Sequence, residues 1–269
     1  MAVAKHSPSR KIHVWARRAE TRVQCELLEW CHAVHSAAEE AVKGADLVII
    51  CSPVETIAPL VERIAEHLKE GAIVTDVGST KSLLCHNAKA AMPAHAFFVG
   101  SHPMAGSEKS GLEYADRDLF KQRPCFVTPL PETPETVTEQ VVRFWMELGM
   151  QVCTISPETH DEIVAYISHL PHILASTLCA ALQKKDSKWR HFAGAGLRDT
   201  TRIASGSPIL WKSILEQNRE EILRALDTFE DEIHHFRSAL ANREWFEVSN
   251  LLEHGKHYRD SLSPDATEQ

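Results

Sequence analysis

The sequence predicts an α/β chain in which a doubly wound parallel sheet occupies the first half and an all-helical domain the second. Three observations carry this. Asp46-Leu-Val-Ile-Ile-Cys51, Ala72-Ile-Val-Thr-Asp76 and Phe97-Phe98-Val99 are short apolar runs bounded by polar residues, the pattern of parallel strands buried on both faces. Amphipathic segments of helical period lie between them, and this alternation is that of a doubly wound sheet. After Pro157 no convincing strand remains, so the boundary is placed near residue 156, dividing the chain into domains 1–156 and 157–269.

Taken in order, residues 11–16 read as a strand, Glu20 to about Cys31 as a helix and Ser36 to Lys43 as a short helix stopped by Gly44. The run 46–51 is the next strand. Glu55 to Glu70 reads as a helix with Gly71 as its C-terminal cap, followed by strand 72–76 and a helix from about Thr80 to Ala91. Strand 97–101, a Gly-rich loop, strand 125–128, helix 135–148 and strand 151–155 complete the first domain. In the second, a helix over roughly 158–184 contains Pro171, which removes one backbone donor and crowds the carbonyl of Ile167, so a kink is expected. Residues 187–206 read as irregular, broken by Gly194, Gly196 and Gly206. Beyond them Ile222, Leu226, Phe229, Ile233, Phe236 and Leu240 recur at steps of four and three, a heptad-like seam along one long helix that suits packing within its domain and a dimer interface.

Composition narrows the function classes. The chain has 269 residues, with 29 basic against 37 acidic side chains and a formal charge of -8. No basic run marks a nucleic-acid or membrane-surface face, so the expected partner is a small molecule met by locally placed cations. Seven scattered cysteines without a C-x-x-C pair read as reduced thiols. No apolar run approaches about 18 residues, and Met1 to Lys11 lack the apolar core of a signal peptide; a cytoplasmic protein is expected.

The residues with chemical capacity cluster after the strands, where open α/β sheets place ligands. Gly100-Ser-His-Pro-Met-Ala-Gly-Ser-Glu-Lys-Ser-Gly111 puts His102 at a strand end, with Pro103 biasing it toward extended backbone. Such a histidine exchanges a proton near neutral pH, and Ser107, Glu108 and Lys109 add a hydroxyl, an anion and a cation. Ser52-Pro53-Val54 follows one strand and Asp76-Val-Gly-Ser-Thr-Lys81 the next. In the second loop Gly78 allows close backbone approach, Ser79 and Thr80 are good helix caps, and Lys81 can meet an anion near the helix N-terminus. In the helical half, Ser168-His-Leu-Pro-His172 sets two histidines three apart, with His160-Asp161 about two turns earlier. Zinc ligation is disfavoured there, because no third ligand stands at a recognisable spacing. Gly196-Leu-Arg-Asp-Thr-Thr-Arg202 carries two arginines four apart, able to hold a carboxylate bidentately.

Together these segments resemble one family, the prephenate and arogenate dehydrogenases of tyrosine biosynthesis. The phrases that carry the resemblance are Val48–Val54, Val74–Lys81, Phe98–Gly111, Ser168–His172 and Gly196–Arg202 through Trp211, spread over almost the whole chain in family order. The resemblance implies a Rossmann-like dinucleotide domain followed by a helical, dimerising substrate domain. It also implies an oxidative decarboxylation in which hydride passes to a nicotinamide while the ring carboxylate leaves as carbon dioxide. Carried over residue by residue, it makes His102 the acceptor of the ring hydroxyl proton and Ser79 its hydrogen-bonding neighbour. Arg202 would anchor a substrate carboxylate, His172, Ser107 and Glu108 would line the substrate pocket, and Asp199 and Trp211 would support it. Arg17, Arg18, Ser52, Pro53, Asp76, Gly78 and Lys81 would face the cofactor. The substrate implied is prephenate or arogenate, and the assembly implied is a homodimer.

One departure stands out. A dinucleotide domain of this type begins with a strand and a G-x-G-x-x-G turn, and this chain has no such motif in its first half. Met1-Ala-Val-Ala-Lys5 resembles the later part of the family's first helix, so the sheet is expected to be truncated by about 20 residues, the length of a strand-turn-helix start. A non-catalytic remnant unable to hold a dinucleotide is the competing reading. Where an NAD-preferring enzyme carries an acidic residue, this chain has Ala16-Arg17-Arg18; a lost carboxylate and gained cations favour a 2′-phosphate, making NADP the expected cofactor and NAD the alternative.

Overall fold

The structure, a computed structural model, describes residues 1–106 and 111–262. After a short helix α1 (Ala2–His6), strands β1 (His13–Trp15) and β2 (Ala33–His35) pair in parallel as a two-stranded sheet. Between them runs α2 (Ala19–Glu26), and α3 (Ala38–Ala41) follows. A second sheet has the order β3-β4-β5-β6-β7, built from β3 (Leu47–Ile50), β4 (Ile73–Asp76), β5 (Phe97–Pro103), β6 (Pro124–Thr128) and β7 (Gln151–Thr154).

The connections explain the strand directions. Helices α4 (Val54–Ile64), α5 (Ser82–Ala91) and α6 (Glu135–Glu147) carry the chain from β3 to β4, β4 to β5 and β6 to β7, and these pairs are parallel. Between β5 and β6 the described residues contain only a 3₁₀ turn, Leu112–Tyr114. Without a crossover helix the chain returns antiparallel, so the expected parallel sheet holds one antiparallel pair. Side chains alternate between two apolar layers as the pleat requires: Val74 and Phe98 enter one core with Ile57, Val61 and Ile64 of α4, and Ile73 and Val99 enter the other with Val141, Phe144 and Trp145 of α6.

Several boundaries differ from the sequence expectation for local reasons. The strand β2 was not anticipated, since three residues between polar flanks carry no readable period. The helix expected to run to Glu70 stops at Ile64 and continues as a 3₁₀ turn, Ala65–His67. Gly71 is left-handed (φ +76°) but belongs to the entry into β4, where its N–H donates to the His95 carbonyl at 2.7 Å. β5 runs on to Pro103, so His102 lies inside a strand, opposite Phe126.

From Pro157 onward the described residues form helices and helical turns. α7 (Pro157–Val164) begins at Ser156, whose hydroxyl accepts from the Thr159 N–H. A π-helical turn, Ala165–His169, then leads into α8 (Leu170–Gln183). This is the irregularity expected of Pro171: with no N–H to bond the Ile167 carbonyl, the ladder shifts by one residue. Within Pro157–Gln183 an 18-residue window reaches a mean hydropathy of 1.4, enough by length and composition alone to cross a membrane, although His169, Pro171 and His172 interrupt its apolar run. The same helical stretch buries His160, Asp161, His169 and His172. The stretch read as irregular forms short helical turns, 3₁₀ at Ser187–Phe192 and Arg202–Ser205 around α9 (Ala195–Thr201), and α10 (Pro208–Gln217) follows.

Two compact units result, Met1–Arg219 and Glu220–Gln269. The second holds nearly all of α11 (Arg219–Ala241) and α12 (Trp245–Ser261). The heptad-like seam lies on one unbroken helix, with Ile222 buried but Ile233 50% and Leu240 45% exposed. All seven cysteines are free, and burial pushes the Cys85 and Cys125 thiols up to about 12, which keeps them inert.

Gly100 is required where β5 passes α5 and β6. A Cβ there would lie 2.5 Å from both Cys85 Sγ and Thr128 Oγ1. Gly100→Ala is expected to lower unfolding stability by roughly 1–3 kcal/mol, the usual cost of overpacking, measured by chemical denaturation; an unchanged midpoint would show that these neighbours yield freely.

Candidate active site

Two buried carboxylates organise the ends of β4 and β5. Asp76, the last residue of β4, is wholly buried. Its Oδ1 accepts from the Ser101 N–H at 3.0 Å and its Oδ2 from the Gly78 N–H at 2.7 Å, and it pairs with the Lys81 ammonium, which is also fully buried. A buried charge is tolerated only when paired and hydrogen-bonded in this way. Thr75 and Ser101 join hydroxyls at 2.7 Å one position back. The loop after β4 is thus fastened to the strand that carries His102.

The second carboxylate is Asp161 of α7, 2% exposed. Oδ1 accepts from the Lys81 N–H at 2.7 Å and Oδ2 from the Ser82 N–H at 2.8 Å, capping the N-terminus of α5 from another element. Oδ1 also meets His160 Nδ1 at 2.8 Å, and His160 Nε2 meets His102 Nδ1 at 2.9 Å. Phe126 of β6 and His102 both stand edge-on to the His160 ring, at 5.2 and 5.1 Å between centroids. Asn218 closes the far side: its amide donates to the Asp161 carbonyl at 2.8 Å and lies 3.1 Å from His169 Nδ1. Thr80 donates to Gln217 at 3.0 Å, leaving Ser79 partly exposed between Gly78 and Thr80.

This enclosure sets protonation. Burial first, then the nearby His160, Lys81 and His169, push the His102 imidazole well below its usual value, so it is neutral at neutral pH. Burial likewise lowers His160, against the opposing Asp161 carboxylate, and brings His169 to about 4.

A second cluster forms around His172 of α8. Its ring stacks on Trp211 of α10 at 3.5 Å and 10°, and its Nδ1 is buried with no hydrogen-bond partner among the described residues. Gly206 makes the stack possible, because a Cβ there would lie 2.5 Å from Trp211 Nε1 and 3.2 Å from His172 Cε1. Arg202 opens the 3₁₀ turn that packs beside α8, and Asp199 lies in α9; both side chains are exposed.

With the geometry in place, comparison with known proteins gives a direct answer. Residues 2–154 match the family model for the prephenate dehydrogenase nucleotide-binding domain, and residues 156–254 that for the prephenate dehydrogenase dimerization domain. The chain belongs to the prephenate dehydrogenase family. It is 36% identical over 225 residues to a prephenate dehydrogenase of Bacillus subtilis, covering 82% of this chain but 61% of that protein. It is 30% identical to a cyclohexadienyl dehydrogenase of Zymomonas mobilis, covering 95% of this chain and 87% of that one. A crystal structure of prephenate dehydrogenase from A. aeolicus, solved with hydroxyphenyl propionate and NAD+, superposes with a TM-score of 0.91 at 29% identity, over 97% of this chain and 92% of that one.

In this member of the prephenate dehydrogenase family the structure brings His102, the loop bearing Ser79, and Asp76, Gly78 and Lys81 together at the ends of β4 and β5. It corrects the reading of Lys81 as an anion-meeting cation: the ammonium is spent on Asp76, and both are sealed from solvent. Gly78 is needed because a Cβ there would lie 2.8 Å from Asp76 Oδ2 and 3.0 Å from Ile57. Ser52 accepts from Thr56 at 2.8 Å and Pro53 caps α4, at the end of β3. Arg17 and Arg18 are exposed just past β1, where Arg22 holds the Ala16 and Arg17 carbonyls at 2.7 and 3.1 Å. Ser107 and Glu108 lie outside the described residues. His160 and Asp161 were seen in the sequence only as an outlying pair near two histidines; their signal was an imidazole and a carboxylate side by side at the start of an apolar helix.

The Gly206 contact yields a prediction. Gly206→Ala is expected to break the His172–Trp211 stack and raise the substrate KM several-fold with a smaller change in kcat, measured by steady-state kinetics; unchanged KM would mean the stack does not shape the pocket.

Proposed function

We propose that this chain is an active prephenate dehydrogenase, converting prephenate to 4-hydroxyphenylpyruvate and carbon dioxide. The observation that carries the reading is the half-buried His102 at the end of β5, its Nδ1 2.9 Å from His160 Nε2 and its strand fastened through Asp76 to the loop bearing Ser79. His102 Nε2 takes the ring hydroxyl proton as the carbon bearing it gives up hydride. The electrons of the departing carboxylate's carbon–carbon bond then complete the aromatic ring as a phenolate, which takes the proton back from His102 to give the product hydroxyl. Ser79 hydrogen-bonds the same hydroxyl, and Arg202 anchors the side-chain carboxylate with Asp199 behind it. The buried His172 Nδ1, with no hydrogen-bond partner among the described residues, is suited to a polar group of the substrate.

A nicotinamide dinucleotide, when bound, would supply the hydride acceptor. The residues present fit such a group in part: the loops after β1, β3 and β4 lie at strand ends, and Ser52-Pro53 stands at the N-terminus of α4. Two exposed arginines after β1, with Ala16 where a ribose-binding carboxylate would stand, favour NADP over NAD. The partly exposed apolar seam of α11, open at Ile233 and Leu240, supports a homodimer.

The decisive assay is the initial rate of nicotinamide reduction by the purified chain with prephenate and, in parallel, arogenate. A prephenate-dependent rate that falls by about 10²–10⁴-fold in His102→Asn is expected; no His102-dependent rate with either dinucleotide would overturn the reading. For the cofactor, Arg17→Ser/Arg18→Ser is expected to reduce kcat/KM for NADP by about tenfold or more, the worth of one charge-assisted hydrogen bond, with NAD much less affected. Equal losses for both dinucleotides would remove the NADP assignment.

A further inference from the structure

The chain Asp161–His160–His102 does more than fill space. Asp161 already accepts the Lys81 and Ser82 N–H groups, so it is an acceptor toward its third partner as well, and His160 Nδ1 carries the proton. A neutral His160 then presents a bare Nε2, and that atom can only accept. His102 Nδ1 must therefore be the donor at 2.9 Å. The reverse order would turn a bare imidazole nitrogen toward a carboxylate with no proton between them. Among the described residues no hydrogen bond engages His102 Nε2. We propose that His160 and Asp161 are positioning residues that hold His102 in the Nδ1–H tautomer, leaving Nε2 bare and oriented as the base.

A neutral histidine side chain in water prefers the opposite tautomer, with the proton on Nε2, which could not accept from a substrate hydroxyl. The protein must therefore impose the one it needs. Phe126 and the Asp161 cap hold the His160 ring from two sides. The titratable groups around His102 are His160 and Asp161 from α7, Lys81 at the start of α5, Asp76 from β4 and His169 from the π-helical turn. Of these, His160 alone touches the His102 ring nitrogen. Asp161 also ties the two parts of the site together, since the same carboxylate that orders the imidazole pair caps the helix following the Ser79 loop.

The proposal rests on the reading of His102 as the base, and its test separates the two. The first readout needs neither substrate nor dinucleotide: long-range ¹H–¹⁵N spectra of the uniformly labelled full chain, with the His102 signals assigned by their loss in His102→Asn. The wild type is expected to show His102 protonated at Nδ1. In His160→Phe, which keeps a planar ring but removes the acceptor, the signal should move to the Nε2–H pattern. His160→Gln, whose amide can accept from Nδ1, should restore the Nδ1–H form in part. The second readout is kinetic: His160→Phe should lower kcat on the order of a hundred-fold, the lower end of what a positioned general base contributes, with KM changed less than threefold, and His160→Gln should recover part of it. An Nε2–H signal in the wild type, or an unchanged Nδ1–H signal in folded His160→Phe, would overturn the relay. The expected tautomers in a protein without dehydrogenase activity would leave the relay standing and overturn the assigned reaction instead.

Discussion

One carboxylate, that of Asp161, holds the active site in one piece. It is supplied by the helical half of the fold, yet it satisfies the first two N–H groups at α5 and the imidazole behind His102. Nothing on α5 itself caps its N-terminus through a side chain, so the loop bearing Ser79 depends on a residue 80 positions away along the chain. Asp76 completes the arrangement from below, joining β5 to the same loop and neutralised by Lys81. Removing one partner from such a buried pair typically costs about 3–5 kcal/mol, because the charge left behind cannot reach water. The two carboxylates are therefore what makes strand ends and helix starts into a rigid constellation.

Much of this was legible in the sequence. Strands β3, β4 and β5 announce themselves as apolar runs because both faces of the sheet are covered, and Val74/Ile73 and Phe98/Val99 need no polar alternation. Pro171 foretold a break in its helix, although the π-helical form of that break depends on how α7 and α8 are held. His102 was legible as a site residue through its strand-end position and its family resemblance. The antiparallel β5–β6 pair was hidden because it depends on the lack of a crossover helix. The turn 187–206 looked irregular because Gly194 and Gly206 are breakers, whereas in the structure they border helical turns.

What stayed hidden has a common cause. Lys81 reads as a ligand-binding cation in any sequence motif; only packing shows that its ammonium is 0% exposed and matched to Asp76. His160 and Asp161 carry no spacing that marks them, because their partners come from β5, β6 and α5. Burial of a titratable group is a tertiary property, and tertiary burial is what turns these side chains from solvated surface into machinery.

The account stands on a neutral His102 at working pH. The most direct test is an NMR titration of the His102 ring Cε1–H resonance in the folded chain. Burial and the cationic and imidazole neighbours predict a midpoint well below 6.5, with the ring neutral through the range where the base must accept a proton. A midpoint at or above 6.5 would mean that the enclosure by His160, Lys81 and His169 does not set its protonation, and would contradict the account at its centre.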